Sequence, residues 1–233
     1  MNNNQTDDFD FMLDSFAHYL RSPLTSIKGA ASVLKQTQVN IDEDSKQELI
    51  GIISDESERL NKIVDKLLWI IRVEAGKIQV KYQQIELLSL IESVVERLAR
   101  LLKKNQLQID IPSDLPSVTL DSELIGQCLF YLIENAAKFS PEDSEILISV
   151  CQNENKVTIS ITDKGVGITE SKQKEVFSKF YRPPQQLNQL PGVGMSLAIC
   201  QGLIAAHNGK IKVKSKVEQG TTISVELPVS FPS

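Results

Sequence analysis

Leu13, Phe16, Leu20, Pro23, Ile27, Ala30 and Leu34 recur at alternating steps of three and four residues. That spacing writes one apolar seam along a helix. His18 stands two residues from Phe16 and from Leu20, about 200° around the helix from each. Its imidazole therefore faces solvent or another molecule. Pro23, five residues on, removes a backbone donor and predicts a kink. Gln36–Asn40 breaks the pattern, and Asp42 can cap a second helix. Leu49, Ile53, Glu56, Leu60, Ile63, Leu67, Ile70 and Glu74 continue at steps of four and three. Ile50, Val64, Leu68 and Ile71 widen that face beyond what a two-stranded seam needs. Two long helices joined by a short loop make a hairpin, and faces this broad cannot be buried by one hairpin. Pairing two hairpins into a four-helix bundle buries both, so residues 9–76 predict a homodimer. An intramolecular bundle with later helices is the competing arrangement.

Beyond Gly76 the period changes. Ile78–Tyr82 alternates like a strand. Ile85–Leu102 reads as helix, Leu107–Ile111 as strand and Asp121–Phe139 as helix. Glu145–Val150 and Lys156–Thr162 suggest a hairpin of strands. Met195–His207 is helical. Lys210–Ser215 and Thr221–Pro228 form a closing hairpin turned at Gln219-Gly220. The fold class is α+β. A helical hairpin comes first, then an α/β sandwich with a mixed, largely antiparallel sheet and helices on one face. The expected divisions are a disordered tail over 1–8, the helical domain over 9–76 and the sandwich over 77–233.

Composition narrows the function. A net charge of −5 with no dense basic patch argues against nucleic acid as a partner. No apolar run approaches the roughly 18 residues that cross a bilayer, so no membrane segment is expected. The polar, acidic start is neither a signal peptide nor an anchor. Cys128, Cys151 and Cys200 are scattered and fit a reducing compartment, with the cytoplasm as the expected location.

Three stretches carry candidate chemistry. Asp163-Lys-Gly165-Val-Gly167 follows a strand directly. A carboxylate there can accept from an exocyclic amine, and the glycines allow a tight turn and close approach to a ligand. Gly192-Val-Gly194-Met-Ser196 opens a helix, and glycine-rich backbone at a helix N-terminus suits phosphate. It is neither a Walker loop nor a Rossmann loop. Pro183–Pro191 before it reads as a mobile lid. On the Asp121–Phe139 helix, Asn135 offers an amide oxygen for Mg²⁺ and Lys138 an ammonium for phosphate.

Together these stretches resemble the sensor histidine kinases of two-component systems. His18-Tyr-Leu-Arg21-Ser22-Pro23-Leu24 is similar to the phosphoacceptor box. Leu132–Pro141 resembles the N box, Asp163–Ile168 the first glycine box, Val176–Arg182 the F box and Gly192–Leu197 the second glycine box. Gly220-Thr221-Thr222 resembles the final turn beside the adenine. The resemblance implies a dimerisation and phosphotransfer hairpin followed by a Bergerat-type ATP-binding domain. It implies ATP with Mg²⁺, autophosphorylation of His18 and transfer to an aspartate on a response regulator receiver domain. Asp163 would hold the adenine amine, Asn135 would ligate Mg²⁺ and Lys138 would touch phosphate. Gly165, Gly167, Gly192, Gly194 and Thr221 would complete the nucleotide site. Ser22, four residues after the histidine, would support dephosphorylation. His207 reads as structural. No sensor domain precedes Asp8, so the signal would come from a longer chain or a separate sensor partner.

Departures from the family pattern are Tyr19 for the usual carboxylate after the histidine, Tyr131 for an asparagine and Ser196 for a glycine. A phenol is a poor base at neutral pH. They support an alternative, a degenerate ATP-binding relative acting as scaffold or response-regulator phosphatase. A third class, a Bergerat-type chaperone or repair ATPase, is disfavoured by the histidine-bearing hairpin.

Overall fold

A computed structural model describes residues 3–36, 41–153, 156–181 and 193–229, with side chains from Leu13 onward. The chain packs as two compact units, 1–71 and 72–233.

The first unit is the hairpin. Helix α1 spans Asn3–Leu34 and α2 spans Glu43–Glu74. Asp42 caps α2, its Oδ1 accepting from the Ser45 N–H at 2.8 Å. Helix α1 begins at Asn3, inside the stretch expected as a disordered tail. Propagating an existing helix gains one hydrogen bond per residue fixed, so polar residues join at little cost. The α1 seam turns inward from Phe16 on, while Leu13 at its start is exposed. Phe16, Pro23 and Ala30 are buried, and Leu20, Ile27 and Leu34 are half-buried. On α2, Ile63 and Ile70 are buried. A second apolar face stays uncovered: Leu24 is 58% exposed, Ile50 50% and Leu68 49%.

The second unit is built on a five-stranded sheet in the order β2-β4-β5-β7-β6. Its strands are β2 (Gln106–Asp110), β4 (Glu145–Asn153), β5 (Lys156–Asp163), β6 (Lys210–Lys216) and β7 (Gly220–Pro228). β2 and β4 run parallel, and every other pair is antiparallel. Alternation sets the two faces. Ile146, Ile148, Val157, Ile159 and Leu227 are fully buried. They meet α5 (Ser122–Phe139) and α6 (Ser196–Ala206), which supply Ile133, Ile199 and Leu203. On edge strand β6, Lys210, Lys212, Lys214 and Lys216 are all exposed on the opposite face.

The first expected strand is displaced. Ile78–Tyr82 pairs with no strand; β1 is Gln83–Ile85, antiparallel to β3 at Val118–Leu120, which its short sequence does not announce. The reason is a side chain. The Lys81 N–H donates to Asp121 Oδ2 at 2.7 Å, so this donor is taken by a carboxylate rather than by a ladder. The expected single helix over Ile85–Leu102 is two, α3 (Leu87–Arg97) and α4 (Ala99–Leu102), separated at Leu98.

Asp121 and His207 tie these parts together. Asp121 Oδ1 accepts from the Glu123 and Leu124 N–H groups at 3.0 Å each, capping α5. Its own N–H donates to His207 Nε2 at 3.3 Å. His207 Nδ1 lies 2.8 Å from the Leu203 carbonyl, which can only accept, so Nδ1 carries the proton. The imidazole is therefore neutral and fully buried. Burial lowers its pKa below 6.5, against opposing pulls from the Leu203 carbonyl and the Asp121 charge.

A histidine with a lowered folded pKa is protonated first in the unfolded chain. Its contribution to stability is thus present above pH 6.5 and lost as pH falls below that value. Urea unfolding at about pH 7.5 and about pH 5.5 is expected to show a His207-dependent loss near ~1 kcal/mol. His207→Gln is expected to be less stable at the higher pH and to lose less on acidification. Equal losses in both proteins would count against the neutral, buried assignment.

Candidate functional site

Asp163 ends β5 opposite Thr221 on β7. It is 8% exposed. Its Oδ1 accepts the Gly165 N–H at 2.7 Å and the Thr221 N–H at 3.2 Å. Both bonds go to one oxygen, which leaves Oδ2 to accept from a ligand. Burial raises the pKa of this carboxyl above 3.8, while the two backbone donors pull it down. A raised folded pKa means the charge costs stability at neutral pH, and the cost is relieved as pH falls. A fold carries such a cost most often at a functional site.

The loop after Asp163 lies against the end of α5 and the β6–β7 turn. A Cβ on Gly165 would fall 2.5 Å from the Phe139 carbonyl oxygen and 2.8 Å from Asp163 Oδ1, so no side chain fits. Gly167 has φ +70°, a left-handed backbone, and its missing Cβ makes room for the Lys216 carbonyl. Two residues that the motif pattern passed over fasten this loop. Ser215 Oγ accepts from the Ile168 N–H at 2.8 Å and donates to the Gly220 carbonyl at 2.8 Å. Gln173 Nε2 donates to the Ser215 carbonyl at 2.8 Å and to the Ile168 carbonyl at 3.3 Å. The available signal was Ser215 alone among lysines and apolar residues on β6, where the pattern reads only as strand.

Helix α5 delivers the other polar groups. The Asn135 side chain is half-buried and makes no hydrogen bond among the described residues. Lys138 Nζ pairs with Glu134 Oε1 at 2.8 Å, one helical turn back. Tyr131 is buried, its ring edge-on to Phe130 at 5.9 Å. Gly194 packs against the backbone of Phe180 and Tyr181. Ser196 is the first residue of α6 and is buried. Gly192, Arg182 and the expected lid at Pro183–Pro191 lie outside the described residues. The structure therefore brings together Asp163, Gly165, Gly167 and Thr221, with α5 beside them. This is an acceptor-lined wall with an ammonium on the adjoining helix end. Such a set fits a ligand with a donor end and an anionic end. Among the described residues no cluster of three His, Cys, Asp or Glu could hold a metal ion by itself.

His18 and Ser22 belong to the helical unit. Both are exposed on α1, as the seam requires. The Tyr19 ring stands edge-on to the His18 imidazole, centroids 6.0 Å apart. Asp14 is also exposed, one turn before His18.

Residues 10–76 match the His Kinase A (phospho-acceptor) domain. Residues 120–230 match the histidine kinase-, DNA gyrase B- and HSP90-like ATPase. The gyrase- and HSP90-like possibility is decided by the first match, because it places the phosphoacceptor helices ahead of the ATPase fold. The chain belongs to the sensor histidine kinases. Among curated histidine kinase relatives, it is 36% identical over 228 residues to the adaptive-response sensory kinase SasA of Synechocystis sp., covering 94% of this chain and 59% of that one. It is 35% identical over 219 residues to the sensor protein KdpD of Clostridium acetobutylicum, covering 93% of this chain and 24% of that one. The chain thus spans from a quarter to three-fifths of the length of these kinases. The solved histidine kinase ThkA, in complex with the response regulator protein TrrA, superposes with a TM-score of 0.75 at 25% identity, over 97% of this chain and 64% of that one. Among the described residues of this kinase core, no helix is long and apolar enough to cross a membrane.

Proposed function

We propose that this chain is an ATP-dependent protein histidine kinase core that phosphorylates itself on His18 and passes the phosphoryl group to a response regulator. The observation that carries the reading is Asp163: a buried carboxylate with one oxygen committed to the backbone and the other left for a ligand. An adenine amine is a fitting donor for Oδ2. Thr221 and the glycines at 165 and 167 shape that end of the pocket. Gly192 and Gly194, at the start of α6, would face the phosphates. Lys138 is positioned on the same helix as Asn135, and its ammonium can exchange Glu134 for phosphate. Asn135 would serve as the protein ligand for Mg²⁺. The absence of a closed metal cluster among the described residues suits this, since Mg²⁺ keeps waters and is held largely by phosphate oxygens. When bound, Mg²⁺ neutralises charge on the phosphates.

In the reaction an unprotonated imidazole nitrogen of His18 attacks the γ-phosphorus of ATP. The N–P bond forms, the bond to the bridging oxygen breaks, and ADP leaves. The imidazole then sheds its other ring proton to a base or to water. The phosphorylated ring then regains a proton from solvent or a nearby acid, a carboxylate of the receiver domain takes the phosphoryl group, and breaking N–P leaves neutral His18. Ser22, one turn after His18, would orient water for the opposing activity, hydrolysis of the receiver's phosphoryl group. The solved ThkA–TrrA complex supports a response regulator as partner. The uncovered apolar face on α1 and α2 supports a homodimer. The cytoplasm is the proposed location, which suits three free cysteines. Tyr19 beside His18 favours a second reading, a slow or degenerate kinase acting as scaffold or phosphatase.

Incubation with γ-labelled ATP is expected to give an acid-labile, base-stable label that His18→Gln abolishes. No label on the wild type, with ATP binding intact, favours the scaffold or phosphatase reading. In Asp163→Asn, one amide oxygen can still serve Gly165 and Thr221, but an NH₂ then meets the adenine amine. Calorimetry is expected to show ATP affinity weaker by about 1.5–3 kcal/mol. Tyr19→Glu places a carboxylate beside the imidazole and is expected to raise the labelling rate roughly tenfold, about 1.4 kcal/mol of barrier. If Asp14 already supplies the base, Asp14→Asn slows labelling and Tyr19→Glu changes little; no effect of either removes the base-limited explanation. Sedimentation is expected to show a dimer at micromolar concentration, and a monomer there would refute the bundle.

A further inference from the structure

Ser215 holds more contacts at the base end of the pocket than any motif residue, and its single proton settles their direction. The Gly220 carbonyl can only accept, so the Ser215 hydroxyl donates to it at 2.8 Å. The Ile168 N–H can only donate, so Ser215 Oγ accepts from it at 2.8 Å. Thr221 Oγ1 also lies 2.8 Å from Ser215 Oγ. With the serine proton already given to Gly220, the proton in this last bond comes from Thr221. The Thr221 backbone N–H is committed as well, to Asp163 Oδ1 at 3.2 Å. Thr221 is thereby left with lone pairs and no free donor.

We propose that Ser215 is a positioning residue that fixes Thr221 as a hydrogen-bond acceptor, and so makes this end of the nucleotide site select adenine over guanine. The proposal rests on the nucleotide reading of the Asp163 pocket. Asp163 Oδ2 and Thr221 Oγ1 both present lone pairs there. Adenine answers them with its exocyclic amine, directly or through a water that donates. Guanine carries a carbonyl oxygen at the equivalent position, and lone pairs would face lone pairs. A site whose buried polar groups go unanswered rejects the wrong ligand far more strongly than a poor shape fit does. Asp163 alone supplies part of this discrimination. Ser215 supplies the rest by denying Thr221 the rotation that would turn its O–H toward a guanine carbonyl. Gln173 supports the arrangement by holding the Ser215 carbonyl at 2.8 Å.

The test is titration of the full chain with ATP and with GTP, for the wild type, Ser215→Ala and Ser215→Thr. Circular dichroism first establishes that each protein is folded. Ser215→Ala frees the Thr221 hydroxyl. ATP affinity is expected to fall about tenfold while GTP affinity holds or rises, so the ATP/GTP ratio collapses. Ser215→Thr keeps a hydroxyl and is expected to keep the ratio. A residue that merely braced the loop would lower both affinities in proportion and leave the ratio unchanged; that result overturns the proposal, as does unchanged ATP binding in Ser215→Ala. Should the alanine variant not fold, Ser215→Cys, a near-isosteric weak donor, is expected to give an intermediate ratio, and a wild-type ratio there would overturn it. Wild type that binds neither nucleotide overturns the nucleotide reading and this inference with it. Wild type that binds ATP, beside an unaffected Ser215→Ala, overturns this inference alone.

Discussion

The Asp121–His207 pair is the joint on which the second unit depends. One carboxylate caps α5, takes the Lys81 N–H and sits beside a backbone N–H that His207 receives. The imidazole in turn holds the last turn of α6 through Leu203. Two helices and the segment leading into β1 are thus fixed by four side-chain atoms in a buried place. Each group is satisfied, which is the condition for a buried polar cluster to favour one arrangement. The candidate site is formed at the opposite end of α5, at Phe139, where the Gly165 loop lies on the helix. A cap at one end of a rigid helix therefore sets the position of a loop at the other.

The site itself is held against the preferences of its parts. Burial raises the Asp163 pKa above 3.8, so its charge is held there at a cost. The loop tolerates it because two backbone donors and the Ser215 bonds are in place before any ligand arrives. Preorganisation of this kind moves the cost of desolvation from binding to folding. The helical unit follows a different rule. There the reactive group, His18, is left in water, and the apolar faces around it are built to meet something else.

Much of this was legible along the chain, and the reasons are physical. Long periodic segments such as α2 and α5 declare themselves, because their packing partners are other broad faces rather than particular residues. The α1 seam placed His18 outward, and the structure has it exposed. The glycine spacing after Asp163 marked the loop, since only missing side chains permit contact with Phe139 and Lys216. What stayed hidden depends on pairing across distance. β1 and β3 are short, and their register, Gln83 to Leu120, exists only in the folded chain. The alternation of Ile78–Tyr82 suggested a ladder, but a carboxylate forty residues away takes the Lys81 N–H instead. Ser215 and Gln173 were invisible for the same reason. A serine in a strand and a glutamine in a loop acquire meaning only when Ile168, Gly220 and Thr221 come within reach.

The exposed lysines of β6 have a consequence for crowding. The sheet is open, and β6 is one of its edges. An open edge offers unpaired backbone groups to any similar strand nearby. In the proposed dimer two such edges would share an effective concentration on the order of millimolar, far above that of free chains. Lys210, Lys212, Lys214 and Lys216 line the β6 edge on one face, and among the described residues Lys212 alone has an ion-pair partner on the sheet, Glu226. Two rows of like charge repel before their backbones can meet. In the proposed dimer the lysine row would let two sheets share a tether without fusing into a continuous one.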